Sequence, residues 1–178
     1  NMQVMNCTTP ANYFHALRRQ MHRDFRKPLI IMTPKSLLRH KHCVSSLSDF
    51  SKKNSFHRVL WDHAIDPKVK GFIKLKKKEK IEKVILCSGK IYFDLLEARE
   101  KFKRDDLIFY RIEQLYPFPA KALAKELKPY AKKAKFYWCQ EEPKNMGAWF
   151  SARDYIQWTL DNIKANNKKI SYIGRSPD

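Results

Sequence analysis

The sequence lacks any long apolar run, which excludes proteins that span a membrane with helices. No stretch of about 18 consecutive apolar residues occurs in the 178 residues, whereas a spanning helix needs about 20. The first five residues also lack the basic segment and apolar run of a secretory signal peptide. Because they lack an ordinary initiator start, we expect the chain to be a piece of a longer protein.

Cysteine is scarce, and its spacing argues against two kinds of site. The four cysteines are far apart, at Cys7, Cys43, Cys87 and Cys139, with no Cys-x-x-Cys pair. Neither a disulfide framework nor a zinc site is therefore expected. Unpaired thiols indicate a reducing compartment, either the bacterial cytoplasm or the mitochondrial matrix.

Glycine is equally scarce, with four residues in the chain. Ser88-Gly89-Lys90 lies on a predicted strand-to-helix turn, where helix N–H groups can hold a phosphate. It lacks the first glycine and the spacing of a P-loop. We therefore interpret it as an ordinary turn.

Acidic residues are few, with 18 Asp and Glu against 37 Lys and Arg, which gives a net charge of +19. The densest basic run extends from Lys74 to Lys83. Such a balance fits a nucleic acid, an acidic partner or a solvated lysine-rich surface. Lysine outnumbers arginine by 26 to 11, and arginine is the residue preferred for bidentate contacts to bases and phosphates. We therefore expect no nucleic-acid partner. Because the chain has no long apolar run, we expect no membrane partner either.

After Lys83, apolar strand-like runs alternate with helical patterns. This alternation predicts an α/β fold, with a mostly parallel sheet flanked by helices. The predicted strands are 84–87, 107–112, 136–139 and 170–173, and the predicted helices are 92–102, 120–130 and about 148–163.

The first third of the chain is less regular. Thr8-Thr9-Pro10 predicts the start of a helix, whose buried face should carry Tyr13, Phe14, Leu17 and Met21 because of their helical spacing. A fully buried strand is expected over 28–33. We divide the chain into a first part (1–39), a linker and surface excursion (40–82), and a C-terminal α/β domain (83–178).

Two groups of residues are candidates for catalytic or metal chemistry. Glu141 and Glu142 follow a strand, where paired carboxylates can act as acid and base or bond loop amides and a neighbouring arginine. We favour the structural role, because no histidine or thiol lies near them in sequence. His40, His42 and Cys43 match no metal-site spacing. His15, on a helix beside two arginines, is expected at a surface or interface.

Six ordered blocks resemble one enzyme family. They are TPANYFHALRR (9–19), RKPLI (26–30), TPKSLLR (33–39), LCSGKIY (86–92), RIEQLYPFP (111–119) and WCQEEPKNMGAW (138–149). Together they resemble the carboxyl end of the thiamine-dependent, decarboxylating first component of the 2-oxoglutarate dehydrogenase complex. The resemblance implies that 1–39 ends the pyrimidine-binding domain with its last helix and strand. It also implies that 83–178 is a transketolase C-terminal domain.

The resemblance further implies a function for the parent enzyme. Such enzymes use thiamine diphosphate and Mg²⁺ to decarboxylate 2-oxoglutarate in the tricarboxylic acid cycle, and pass the succinyl group to the dihydrolipoyl succinyltransferase component. They work as homodimers. The family's diphosphate–Mg²⁺ site needs a Gly-Asp-Gly followed by an Asn, and no glycine of this chain is followed by Asp-Gly. We therefore assign no catalytic, cofactor-binding or metal residue here, and expect this chain alone to be inactive.

Some members of this family bind acetyl-CoA as an activator between their last two domains. The resemblance places that pattern on Arg19, Thr33 and Gln114, with Arg58 and Ser55 at two positions that differ. Lys121 and Ala122 stand where the pattern has two adjacent arginines. We expect a surviving anion site with weakened or lost acetyl-CoA affinity, or else an ordinary interdomain contact. The related 2-oxoadipate component and a free-standing basic binding module are the alternatives for the chain's function.

Overall fold

Two sheets organise the computed structural model, which describes residues 1–178. The larger has five strands in the order β3-β5-β4-β7-β8, and all its neighbours are parallel except the β3–β5 pair. Its strands are Val59–Leu60 (β3), Lys83–Cys87 (β4), Leu107–Ile112 (β5), Lys135–Cys139 (β7) and Ile170–Ile173 (β8). The parallel strands have apolar sequences because helices cover both faces of the sheet.

Three helices cover the larger sheet, and each lies in the sequence between two of its strands. They are Ile91–Lys101 (α2), Ala120–Leu127 (α3) and Trp149–Asn162 (α4). Tyr92, Phe93 and Leu96 of α2 pack on one face of the sheet. Leu123 of α3 and Ile156 of α4 belong to a core cluster of 20 residues on the other face. The predicted α/β class with a mostly parallel sheet is confirmed.

The smaller sheet joins the first part of the chain to the C-terminal part. Its order is β2-β1-β6, with Gln3–Asn6 (β1) parallel to Leu29–Met32 (β2) and antiparallel to Gln114–Tyr116 (β6). Pro10–His22 (α1) connects β1 and β2, and the side chain of Thr9 accepts the N-cap hydrogen bond from Asn12 N. Because β6 continues from β5 of the larger sheet, the first forty residues are tied directly to the C-terminal part.

Two predictions about the first part of the chain are wrong. The strand β2 is not fully buried: Ile30 and Met32 are exposed, because β2 is an edge strand that pairs with β1 alone. In α1, Phe14, Leu17 and Met21 are exposed. The buried face consists of smaller or polar residues that fit close against the sheet and the neighbouring loops, namely Ala11, Asn12, His15 and Ala16.

The segment 40–82 contains short elements between its turns. Two 3₁₀ helices, Leu47–Phe50 and His63–Ile65, flank β3, and a third, Lys78–Lys80, precedes β4. Asp62 and His63 are buried in this segment. None of the protein's helices has the length and apolar character needed to cross a membrane.

Candidate anion-binding site

A junction between α1 and β6 holds two of the predicted site residues. Arg19 Nη2 donates to Gln114 Oε1 at 2.8 Å and to Gln3 Oε1 at 3.2 Å. The antiparallel pairing of β1 with β6 sets Gln114 opposite Met5, and this register brings the amide within reach of the helix. The Arg19 guanidinium also lies 4.3 Å from the ring centroid of Phe56, in a cation–π contact.

Positive charge at this junction is not neutralised by carboxylates. Burial, together with the nearby Arg23 and Arg58, lowers the pKa of Arg19 to about 10, so the side chain still carries its proton at neutral pH. Arg23 Nη1 donates to Gln3 Oε1 at 2.8 Å. None of these three arginines forms an ion pair with a carboxylate of this chain, so the cluster attracts an anion.

A cavity of about 580 Å³ opens beside the junction. Arg58, Gln114 and Lys121 line it, together with Arg23 and Lys27, which supply further positive charge. Aromatic side chains form part of its wall, namely Phe25, Tyr116, Phe118 and Trp158. Cationic groups beside flat apolar rings suit a ligand that combines phosphate or carboxylate groups with a ring.

The structure brings most of the predicted site residues together, but not all. Arg58, Gln114 and Lys121 share the cavity, and Arg19 adjoins it through its bond to Gln114. Thr33 is exposed just after β2 and does not line the cavity.

Of the other two residues of the pattern, one lines this cavity and one does not. Ala122 lines it, whereas Ser55 lines a separate cavity.

Sequence reasoning missed Arg23 and Lys27. The recurrence of arginine four residues after Arg19, on the same helical face, was the signal that could have found Arg23.

The paired glutamates have the structural surroundings of a surface loop. Both are exposed, and Glu141 forms an ion pair with Lys90 rather than with an arginine. The loop that carries them is held by Gln140, which is buried. Its Oε1 accepts from Trp138 Nε1 at 2.9 Å and from Trp149 N at 3.0 Å.

Histidine and cysteine form no metal centre in this structure. No group of three or more His, Cys, Asp or Glu side chains is arranged to hold a metal ion, and all four cysteines are free thiols. These residues therefore do not fit an Mg²⁺–diphosphate site. His15, which we expected at a surface or interface, is 3% exposed and packs against the segment 40–82, where its Nε2 donates to Asp49 O at 2.7 Å.

Comparison with known proteins gives two family matches that together cover almost the whole chain. Residues 44–178 match the family described as 2-oxoglutarate dehydrogenase C-terminal. Residues 1–41 match the family described as transketolase, pyrimidine binding domain.

Curated bacterial relatives match over nearly the full length of the chain. It is 61% identical over 175 residues to the 2-oxoglutarate dehydrogenase E1 component of Brucella abortus, and equally so to that of Brucella anthropi. The corresponding protein of Brucella ovis is 60% identical. Each alignment covers 98% of this chain and 17% of the relative, so the chain spans about a sixth of the length of the proteins it matches.

Proposed function

The chain belongs to the family of the first component of 2-oxoglutarate dehydrogenase, and we propose that its parent enzyme decarboxylates 2-oxoglutarate with thiamine diphosphate and Mg²⁺. The succinyl group then passes to the lipoyl arm of a dihydrolipoyl succinyltransferase component. The observation that carries this proposal is the 61% identity over 98% of the chain. A reducing compartment, the bacterial cytoplasm or the mitochondrial matrix, fits the four free thiols.

Within that parent, we assign this chain the tasks of domain packing and homodimer assembly. Residues 1–39 would end the pyrimidine-binding domain, 40–82 would connect, and 83–178 would form the transketolase C-terminal domain. The shared sheet β2-β1-β6 supports a packing role, because it fastens the first part to the last part. The residues that handle cofactor and substrate lie outside this chain in our proposal.

We expect the isolated chain to release no CO₂ from 2-oxoglutarate, even with thiamine diphosphate and Mg²⁺ in excess. The physical reason is that the chain holds no cluster of metal-binding side chains. The matched experiment is a chimera in which this chain replaces the corresponding end of the Brucella abortus relative. The chimera should keep lipoyl-dependent succinyl transfer. Turnover by the isolated chain, or a folded but inactive chimera, would contradict the proposal.

We propose further that the cavity beside Arg19 binds an anionic acyl-CoA more weakly than in family members with two adjacent arginines. Support comes from the uncompensated Arg19 and Arg58, and from Lys121 at the mouth of the cavity. Ala122 also lines the cavity but carries no charge, so one of the two cationic partners for a CoA phosphate is missing.

Calorimetric titration of the full-length parent with acetyl-CoA tests this site. Arg19→Ala should weaken binding by about tenfold, since one charge-assisted contact is worth about 1.5 kcal/mol or more. Lys121→Gln should weaken it without affecting folding, because Lys121 is exposed and forms no ion pair. Arg39→Ala, exposed and outside the cavity, is the matched control. If the wild type binds nothing, or all three variants bind equally well, the junction is an interdomain contact only.

A further inference from the structure

Positive charge is concentrated at the amino ends of the parallel strands of the larger sheet. The segments 76–83, 101–106, 128–135 and 164–169 lead into β4, β5, β7 and β8. They contain fifteen Lys and Arg against four Asp and Glu, which is +11 of the net charge of +19. We call these four segments the amino rim. More than half of the protein's net charge therefore lies on a small fraction of its residues.

The amino rim is one continuous surface. Glu82 N donates to Asp106 O, and Lys135 N donates to Glu82 O, each at 2.8 Å. Asn166 N donates to Ala131 O at 2.9 Å, so the segment 164–169 packs against the segment 128–135. The rim is thus a single edge of the fold, held by backbone hydrogen bonds.

Few of these charges are neutralised within the chain. Lys76 pairs with Asp105 at 3.4 Å, and Arg104 pairs with Asp106 at 2.7 Å. The other thirteen basic residues of the rim are all lysines, and none forms an ion pair. Unpaired like charges on one surface repel one another, and an anionic partner would relieve the repulsion.

The chemistry of the amino rim favours a partner with separate carboxylates over a nucleic acid. Its one arginine, Arg104, already donates two hydrogen bonds to the Asp106 carboxylate, at 2.8 and 2.7 Å. No free guanidinium is left for bidentate contact to phosphate. The rim has one exposed aromatic ring, Phe102, and the Lys101 ammonium lies over it at 5.8 Å. Single-stranded nucleic acids are held by several stacking rings, which this surface does not offer.

The same surface is poorly suited to a membrane. A protein that lies on a bilayer inserts a row of apolar side chains beside its basic residues. Phe102 is the only large apolar side chain of the amino rim that is exposed. The lysines, as point charges on flexible stems, can instead follow carboxylates spaced irregularly along a polypeptide.

We propose that the amino rim is a docking surface for an acidic polypeptide segment. The lysines attract the segment over several ångströms and pair with its Asp and Glu side chains on contact. Association is therefore fast and strongly weakened by salt, because exposed charges are screened beyond about 8 Å at physiological ionic strength. The surface lies at the opposite end of the strands from the turn Ser88–Lys90 and the glutamate loop 140–149, so docking leaves that end free.

The test measures binding of a fluorescent polyglutamate peptide to the full chain by anisotropy. A quadruple variant carries Lys128→Gln, Lys132→Gln, Lys133→Gln and Lys135→Gln, all of which are exposed. The control removes the same charge elsewhere, with Lys35→Gln, Lys52→Gln, Lys53→Gln and Lys70→Gln, also exposed and without ion pairs. We expect the rim variant to bind about tenfold more weakly, and the control to change by about twofold or less.

Two further probes separate the classes of partner. Polyuridylate and phosphatidylserine vesicles are titrated under the same conditions, and both should bind more weakly than the peptide. Tighter binding of either probe would overturn the assignment to an acidic polypeptide. Equal losses in the two quadruple variants would also overturn it, because net charge alone would then explain the binding. So would a wild type that does not bind the peptide.

Discussion

Replacing Asp62 with alanine is expected to lower the free energy of unfolding by about 3–5 kcal/mol. The reason is that the buried guanidinium of Arg99 loses the carboxylate that neutralises it. Asp62 and Arg99 form an ion pair in which both side chains are 0% exposed. Asp62 Oδ1 accepts from Arg99 Nη2 and from Ala64 N, and Oδ2 accepts from Phe109 N, each at 2.9 Å. The substitution leaves Ala64 N and Phe109 N without an acceptor, and it leaves the buried Arg99 guanidinium with only the longer contact to Glu100 Oε1 at 3.5 Å.

The measurement is a urea titration followed by tryptophan fluorescence. Glu97→Ala is the matched control, because Glu97 lies on the same helix as Arg99 and pairs with Lys41 at 3.0 Å in a half-exposed setting. Exposed pairs contribute about 1 kcal/mol or less. An Asp62→Ala variant no less stable than Glu97→Ala would show that the buried pair does not hold the segment 40–82 to α2.

The strands of the larger sheet could be predicted from the sequence, because each is an apolar run that can be recognised without knowing its partner strands. Val84–Cys87 and Leu107–Ile112 are fully buried runs of the kind that parallel strands require. The strands β1 and β6 were missed because each is three or four residues long and contains polar residues. The two strands pair residues that are more than a hundred positions apart in the sequence. A local sequence pattern cannot predict such a pairing.

Long-range partners also explain the errors about individual side chains. No local pattern places the Arg99 guanidinium in the interior; it is buried because Asp62, 37 positions earlier in the sequence, bonds it there. In the same way, Asn12 and His15 of α1 face the interior because they form hydrogen bonds there, Asn12 to the Glu113 carboxylate and His15 to the backbone carbonyl of Asp49. Hydrophobic periodicity cannot anticipate a polar residue whose partner is distant.

The candidate anion site was predictable only through the resemblance. Arg19, Arg58, Gln114 and Lys121 are scattered over about a hundred residues, and nothing in their spacing marks them as neighbours. The fold brings them together because β6 returns to pair with β1 beneath α1. Thr33, at the far end of β2, does not take part in the cavity.

A buried carboxylate joins the first and last parts of the chain. Glu113, between β5 and β6, is 0% exposed. Its Oε2 accepts from Thr8 N and Asn12 Nδ2, each at 2.9 Å, and its Oε1 accepts from the Thr8 hydroxyl. Arg111 Nη1 donates to that same hydroxyl at 3.1 Å. The network therefore fixes the start of α1 to the larger sheet.

Glu113→Ala is expected to destabilise the protein by about 3–5 kcal/mol, because it removes the acceptor of three buried hydrogen bonds, from Thr8 N, the Thr8 hydroxyl and Asn12 Nδ2, at about 1–3 kcal/mol each. Urea unfolding measures the loss. Limited proteolysis should then cleave between residues 1–39 and the rest of the chain faster than in the wild type. A variant that keeps wild-type stability and protease resistance would show that Glu113 does not join the two parts.

Glu113→Gln should instead reveal a pH dependence, since the amide keeps the size and an acceptor but carries no charge. Burial raises the pKa of Glu113 above 4.5, although Arg111 and the bonds from Thr8 and Asn12 oppose the rise. The neighbouring thiols Cys7 and Cys43 stay neutral, because burial raises the pKa of each. Below pH 4.5 the carboxyl is protonated in the folded and unfolded states, so its contribution to stability is fully present.

As the pH rises above 4.5, the unfolded state loses the Glu113 proton first, and the wild type loses stability until the folded-state pKa is passed. The stability of Glu113→Gln relative to the wild type should therefore increase with pH over this window, in urea titrations at matched ionic strength. Glu97→Gln should behave in the opposite sense, because Lys41 lowers the pKa of Glu97 and its contribution is lost as the pH falls. The difference in the free energy of unfolding between Glu113→Gln and the wild type could instead stay constant from pH 4 to pH 8. In that case burial does not raise the pKa of Glu113, and the charge of the carboxyl does not affect how the two parts of the chain are joined.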